Sequence, residues 1–138
     1  MPTPVYFFDM TIEIAGLVTA VLLSWVALVH LALAAGMRRG DLVWSGRQPR
    51  LLALELRVRS ALAALLLLVS GAVLAEATGV IDTGLIAERY IQSATFAVMA
   101  FLGGYFIYAV FWGSRWERIL FAPITLAGAL LAGWLTFT

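Results

Sequence analysis

Four long apolar runs, broken by short polar stretches, organise the sequence. They cover about Ile12 to Met37, Ser60 to Ile81, Ile91 to Gly113 and Ile119 to Phe137. A bilayer core about 30 Å thick takes about 20 apolar residues of helix, and each run has that length with some allowance for tilt. The pattern predicts an all-α fold: residues 1–138 as one four-helix transmembrane bundle. Pro2 and Pro4 disfavour helix at the start. Residues 1–8 therefore read as a short extended or interfacial lead-in, with Tyr6, Phe7 and Phe8 suited to the headgroup zone. The first charges are Asp9 and Glu13. With no basic segment ahead of the apolar run, the start does not read as a cleavable signal.

The charges between the runs are asymmetric. Arg38, Arg39, Arg47, Arg50, Arg57 and Arg59 lie between runs one and two, and Arg115 and Arg118 between three and four. Only Arg89 lies between two and three, beside Asp82 and Glu88. The positive-inside rule assigns the arginine-rich loops to the cytoplasm. Both termini then face the other side, and a bacterial inner membrane is the expected location. In the first of these loops, Gly46-Arg47-Gln48-Pro49 is a turn signal. From Leu51 to Arg59 no breaker intervenes, so helix two is expected to begin in the cytoplasm, with Glu55 and Arg59 paired at i, i+4.

Composition agrees and excludes much. The 138 residues are 63% hydrophobic and 12% charged, with a mean hydropathy of +0.99. Soluble domains carry roughly 45–50% apolar and about 25% charged residues. A cytosolic enzyme, a nucleic-acid-binding module and a disordered regulator are therefore excluded. The sequence has no cysteine and a single histidine, His30, so thiolate metal sites, cysteine nucleophiles and a bis-histidine haem within one chain are excluded as well. No metal site is expected. All nine basic residues are arginine, so Schiff-base lysine chemistry is absent too.

Two features within the spans invite function. Gly71, Ala75 and Gly79 recur every fourth residue on helix two, and Gly128/Ala132 and Ala129/Gly133 do so on helix four. Such spacing lets helices approach closely in lipid, either inside one bundle or between protomers. Glu13 and Glu76 are acidic groups near the outer ends of their helices. They reach the outer headgroup zone or, alternatively, form a proton- or cation-linked pair facing the interior.

The inner ends carry more chemistry. His30 lies near the inner end of helix one, and Arg57 and Arg59 open helix two. Phe101, Tyr105, Tyr108 and Trp112 follow i, i+4, i+7, i+11 spacing on one face of helix three, and Arg115 and Arg118 come directly after. An arginine rim, aromatic walls and phenolic donors suit an anionic head with an apolar tail. The alternative is the ordinary aromatic belt and arginine excess of a membrane interface.

Several local sequences strengthen the first reading. Thr11-Ile12-Glu13-Ile14 opens helix one, Glu55-Leu56-Arg57-Val58-Arg59-Ser60-Ala61 opens helix two, and Tyr108 to Trp112 is followed by Trp116-Glu117-Arg118-Ile119. In order, spacing and overall layout the chain resembles the MAPEG family, membrane-associated proteins in eicosanoid and glutathione metabolism. The resemblance implies a homotrimer that binds glutathione between protomers on the cytosolic side. It places Glu55 and Arg59 on the family's helix-two motif, Tyr108 and Trp112 on its helix-three positions, and Arg118 on the arginine that helps activate the thiol. Arg118 and Tyr108 are then the candidate catalytic residues.

The motif's Asn and final Glu fall on Ala63 and Leu66, however. Each polar group of glutathione left unpaired in a buried site costs roughly 1–3 kcal/mol, so a degenerate glutathione site is expected. Three functions follow. One is a MAPEG-like bundle with a pocket for an anionic amphiphile or lipid, or an accessory subunit of a larger membrane complex. Another is an active glutathione-dependent transferase or peroxidase on lipophilic substrates. The third is a small proton-coupled transporter using Glu13 and Glu76.

Overall fold

The computed structural model describes residues 4–46, 51 and 53–138. Arg47, Gln48 and Pro49 of the expected turn, Arg50, Leu52 and the first three residues of the lead-in lie outside them. The described residues form four helices and no strand: α1 Pro4–Ala34, α2 Leu54–Ala77, α3 Glu88–Phe111 and α4 Ala122–Phe137. Two 3-10 turns, Gly40–Leu42 and Trp44–Gly46, lie between α1 and α2, and a π-helical turn, Glu117–Phe121, leads into α4. All four helices are long and apolar enough to cross a membrane, the fourth when counted from Glu117. Their exposed side chains are those of a lipid-facing surface, including Leu17, Val21 and Leu28 on α1, Leu62, Leu65 and Val69 on α2, and Leu130 on α4.

The ends of the elements differ from the hydrophobic runs for local reasons. α1 begins at Pro4, where an extended lead-in was expected. Proline is tolerated in a first helical turn, because the N–H it lacks would have no intrahelical partner there. α1 stops at Ala34, short of Met37, because Gly36 takes φ +115°. The Gly36 N–H then donates to Leu33 O (3.2 Å) and the Met37 N–H to Ala32 O (2.9 Å). α2 stops the same way at Gly79, φ +84°, with Gly79 N–H to Glu76 O (3.2 Å) and Val80 N–H to Ala75 O (2.9 Å). Both are Schellman closures, so Gly79 is a terminator beyond α2 and not a third packing position. α2 begins at Leu54, three residues after the expected Leu51, because Ala53 is still extended (φ −59°, ψ 154°). The π turn precedes Pro123, which lacks the N–H of a regular α turn; Ala122 N–H reaches back five residues to Glu117 O.

Packing is pairwise. α1 lies along α2 and α3 along α4, and the two pairs meet more sparsely, about equally through α1–α4 and α2–α3. Small residues set these approaches inside the chain. Gly16 faces Thr78 so closely that a Cβ there would overlap the threonine side chain, and Gly71 faces the backbone of Ala20. Gly128 seats Leu102, and Gly133 lies against Met99. At the end away from the arginine-rich loops, Gln92 Nε2 donates to Thr136 O (2.8 Å) and the Thr136 hydroxyl to Thr95 Oγ1 (3.0 Å), tying α3 to α4.

The up-and-down order brings the arginine-rich loops together. Ser114 Oγ, from the α3–α4 connection, donates to Leu42 O in the α1–α2 connection (2.7 Å). Arg57 Nε donates to Ala34 O (3.0 Å), completing the last turn of α1. Arg89 is at the opposite end, over the Tyr90 ring at 4.7 Å.

Candidate functional site

His30 is in the penultimate turn of α1 and is 1% exposed. Its ring meets Trp44, Tyr105 and Phe121 at centroid separations of 5.8, 6.1 and 6.0 Å. Nε2 shares a hydrogen bond of 2.8 Å with the Tyr105 hydroxyl. Nδ1 is buried without a partner among the described residues.

Trp44 covers this group from the loop. Its φ is +52°, a region bulky residues rarely occupy at a cost of about 1–2 kcal/mol. Three contacts hold it there. Nε1 donates to Ser60 Oγ (2.8 Å), and the ring lies against His30 and, at 6.1 Å, against Tyr108. The loop is fixed from the other side by Glu117 and Ser114. Glu117 N–H donates to Ser114 Oγ (3.1 Å), and Ser114 N–H donates to Glu117 Oε1 (3.2 Å). This reciprocal pair is a capping box, and it buries the Glu117 carboxylate to 1% exposure.

On the other side of Tyr105 the α2–α3 seam opens into a cavity of about 470 Å³. Arg59, Ala63 and Leu66 line it from α2, Gly104, Tyr105 and Tyr108 from α3, and Trp44 from the loop. A second cavity of about 250 Å³ continues along the same seam past Ser70 and Val73, sharing Leu66 and Phe101 with the first. Together they make an apolar groove with Arg59 at its loop end. The rings of Phe101, Tyr105 and Tyr108 meet edge to face, at 6.4 and 6.2 Å. Arg59 donates to Glu55 (2.7 Å) as the i, i+4 spacing predicts. Both side chains are more than half exposed, and such pairs are worth only about 0–1 kcal/mol, so an anion can compete for the guanidinium.

The remaining expected residues take other positions. Arg57 caps α1. Arg118 donates to Gly113 O (3.2 Å) and is exposed, as is Arg115. Trp112 falls just past the end of α3 and is 64% exposed, so the aromatic stripe stops at Tyr108. His30 stands behind Tyr105, one layer away from the groove. At the end away from the arginine-rich loops, Glu76 accepts from the Thr83 hydroxyl (2.7 Å) and the Ile86 N–H (3.4 Å), tying down the α2–α3 loop. Outside the spans, the hydrogen bond from Arg39 holds the Asp41 carboxyl below its ordinary range and raises Arg39.

Sequence reasoning missed Trp44, Ser60 and Glu117. Ser114-Arg115-Trp116-Glu117 has the spacing of a capping box and was readable. Nothing local announces that Trp44 folds back onto Ser60. Comparisons with protein-family models, with curated proteins and with solved structures find no match to this chain.

Proposed function

We propose that this chain is an integral protein of a bacterial cytoplasmic membrane, similar to the MAPEG family, that assembles as a homotrimer. In this reading its loop-end groove holds an anionic amphiphile instead of glutathione. The observation that carries the proposal is the composition of the groove lining. Arg59, Tyr105 and Tyr108 line it together with Ala63 and Leu66, the two positions that the resemblance assigns to glutathione-binding Asn and Glu. An arginine fork suits a phosphate or carboxylate; alanine and leucine offer a peptide nothing and an alkyl chain a good wall. The loop end faces the cytoplasm, on the arginine distribution.

Two measurements test this. With no native cysteine, Ser45→Cys should be blocked only by thiol reagents that cross the membrane, and Thr83→Cys by impermeant ones. The reverse pattern overturns the orientation. Native mass spectrometry from mild detergent should show a trimer retaining anionic lipid, and Arg59→Ala should release that lipid. A monomer or dimer counts against the family reading, and a lipid-free trimer counts against the ligand.

A further inference from the structure

We infer that the α2–α3 groove is a site for an anionic glycerophospholipid, and that His30 is a positioning residue that turns the Tyr105 hydroxyl proton toward the lipid's ester oxygen. The inference rests on the amphiphile reading and goes beyond it by naming the ligand's second recognition point and the residue that sets it.

His30 sets the direction of the bond it shares with Tyr105. Its two tautomers are not equivalent here, since Nδ1 is buried with no partner among the described residues. A buried N–H without an acceptor is rarer in proteins than an acceptor left under-satisfied. Nδ1 therefore carries the lone pair, and Nε2 carries the proton and donates to the Tyr105 oxygen across 2.8 Å. The histidine bond thus leaves the Tyr105 proton free, and the open side of Tyr105 is the groove. The groove then presents two donors on opposite walls, Arg59 from α2 and the Tyr105 hydroxyl from α3.

A fatty acid has a single polar head for two such points. A glycerophospholipid has its phosphate for Arg59 and, further in, ester carbonyls for Tyr105. Below these donors the seam is apolar from Ala63 to Val73. At 1.5 Å per residue that is about 15 Å, the depth of one leaflet of a hydrocarbon core about 30 Å thick. Gly104 fits an occupied groove. It lines the cavity, and beyond its own helix backbone and chain neighbours no described residue lies within 4 Å of where its Cβ would be, so a side chain has room yet none is present.

The test reads Trp44, which lines the groove, in a full-length chain with Trp25, Trp112, Trp116 and Trp134 changed to Phe. The chain is reconstituted with lipids brominated on the acyl chain, which quench tryptophan on contact. Brominated phosphatidylglycerol should quench Trp44 at lower mole fraction than brominated phosphatidylcholine or brominated stearate. Tyr105→Phe should weaken this apparent affinity about fivefold, the worth of one hydrogen bond of about 1 kcal/mol. His30→Leu should weaken it equally, and the double variant no further. His30→Gln, whose amide can donate to Tyr105, should restore most of it. Gly104→Leu should abolish quenching. Retention of the same lipids by the unsubstituted chain in native mass spectrometry gives an independent reading.

Equal quenching by stearate overturns the phospholipid assignment. Equal quenching by phosphatidylcholine overturns the anionic reading as well. If phosphatidylglycerol is preferred but His30 and Tyr105 variants bind as the native chain does, this inference fails while the amphiphile reading stands. No quenching by any lipid, with Gly104→Cys cross-linking between copies, assigns the groove to a second copy's helix and overturns the site.

Discussion

Gly16→Leu is expected to destabilise the bundle by about 3 kcal/mol, the upper end of overpacking costs, and to lower its midpoint by roughly 10 °C for a chain of this size. At position 16 even a Cβ overlaps the side chain of Thr78. Thr78 has little freedom to retreat: it is 6% exposed, and its hydroxyl donates to Leu74 O (2.7 Å) at the closing turn of α2. The added side chain therefore separates α1 from α2, the most extensive helix pair in the molecule. Gly16→Ala should cost less, with the same sign. Gly103→Leu is the control, because no described residue outside its own helix backbone and chain neighbours lies within 4 Å of its Cβ position. Thermal unfolding in micelles, followed by far-UV circular dichroism, measures all three. Equal midpoints for Gly16→Leu and Gly103→Leu would contradict the α1–α2 packing.

The spans were legible because their cause is bulk composition. Lipid demands about 20 apolar residues per crossing wherever they sit, and the four runs supply them whatever the helices pack against. The ends were readable by a finer signal than hydrophobicity. The runs continue to Met37 and Ile81, but the helices close at Gly36 and Gly79, where the backbone turns left-handed. A glycine placed just after a helical run is a stop in its own right, and the apolar residues after it hide this.

Helix pairing was less legible for a physical reason. Small residues on helices two and four permit close approach to any neighbour, and nothing in their spacing says which. In the folded chain Gly71 meets Ala20 of α1, and Gly128 meets Leu102 of α3. The site divides the same way. Tyr105, Tyr108 and Arg59 line one groove. His30 joins through a contact 75 residues away in sequence, and Trp44 through a strained loop that only the folded bundle can hold. Arg57 and Arg118, which share the arginine-rich end, are instead used on backbone carbonyls. Residue type alone cannot distinguish a ligand-facing guanidinium from one that caps a helix.

Restoring the two missing polar groups is the sharpest test of the helix-two register. Ala63 is 8% exposed and Leu66 47%, and both border the cavity that Arg59 and Tyr105 line. Ala63→Asn combined with Leu66→Glu places an amide and a carboxylate on that wall, a turn apart. Each should recover roughly 1–3 kcal/mol that an unpaired group of glutathione otherwise loses, so affinity should rise at least about 30-fold over weak or absent binding by the native chain. The new carboxylate is costly without its ligand, since an acidic side chain at the centre of a span is unfavourable by about 2.5–3.5 kcal/mol. The double variant should therefore melt lower than the native chain when free and recover part of the loss as glutathione is added, because a ligand that binds only the folded state stabilises it. Calorimetry gives the affinity and thermal melts give the linkage. Tight binding by the native chain would contradict the degenerate site and restore a glutathione-dependent enzyme as the leading reading. If the double variant gains neither affinity nor ligand-dependent stability, the resemblance on helix two is in the wrong register, and the amphiphile groove must stand on Arg59, Tyr105 and His30 alone.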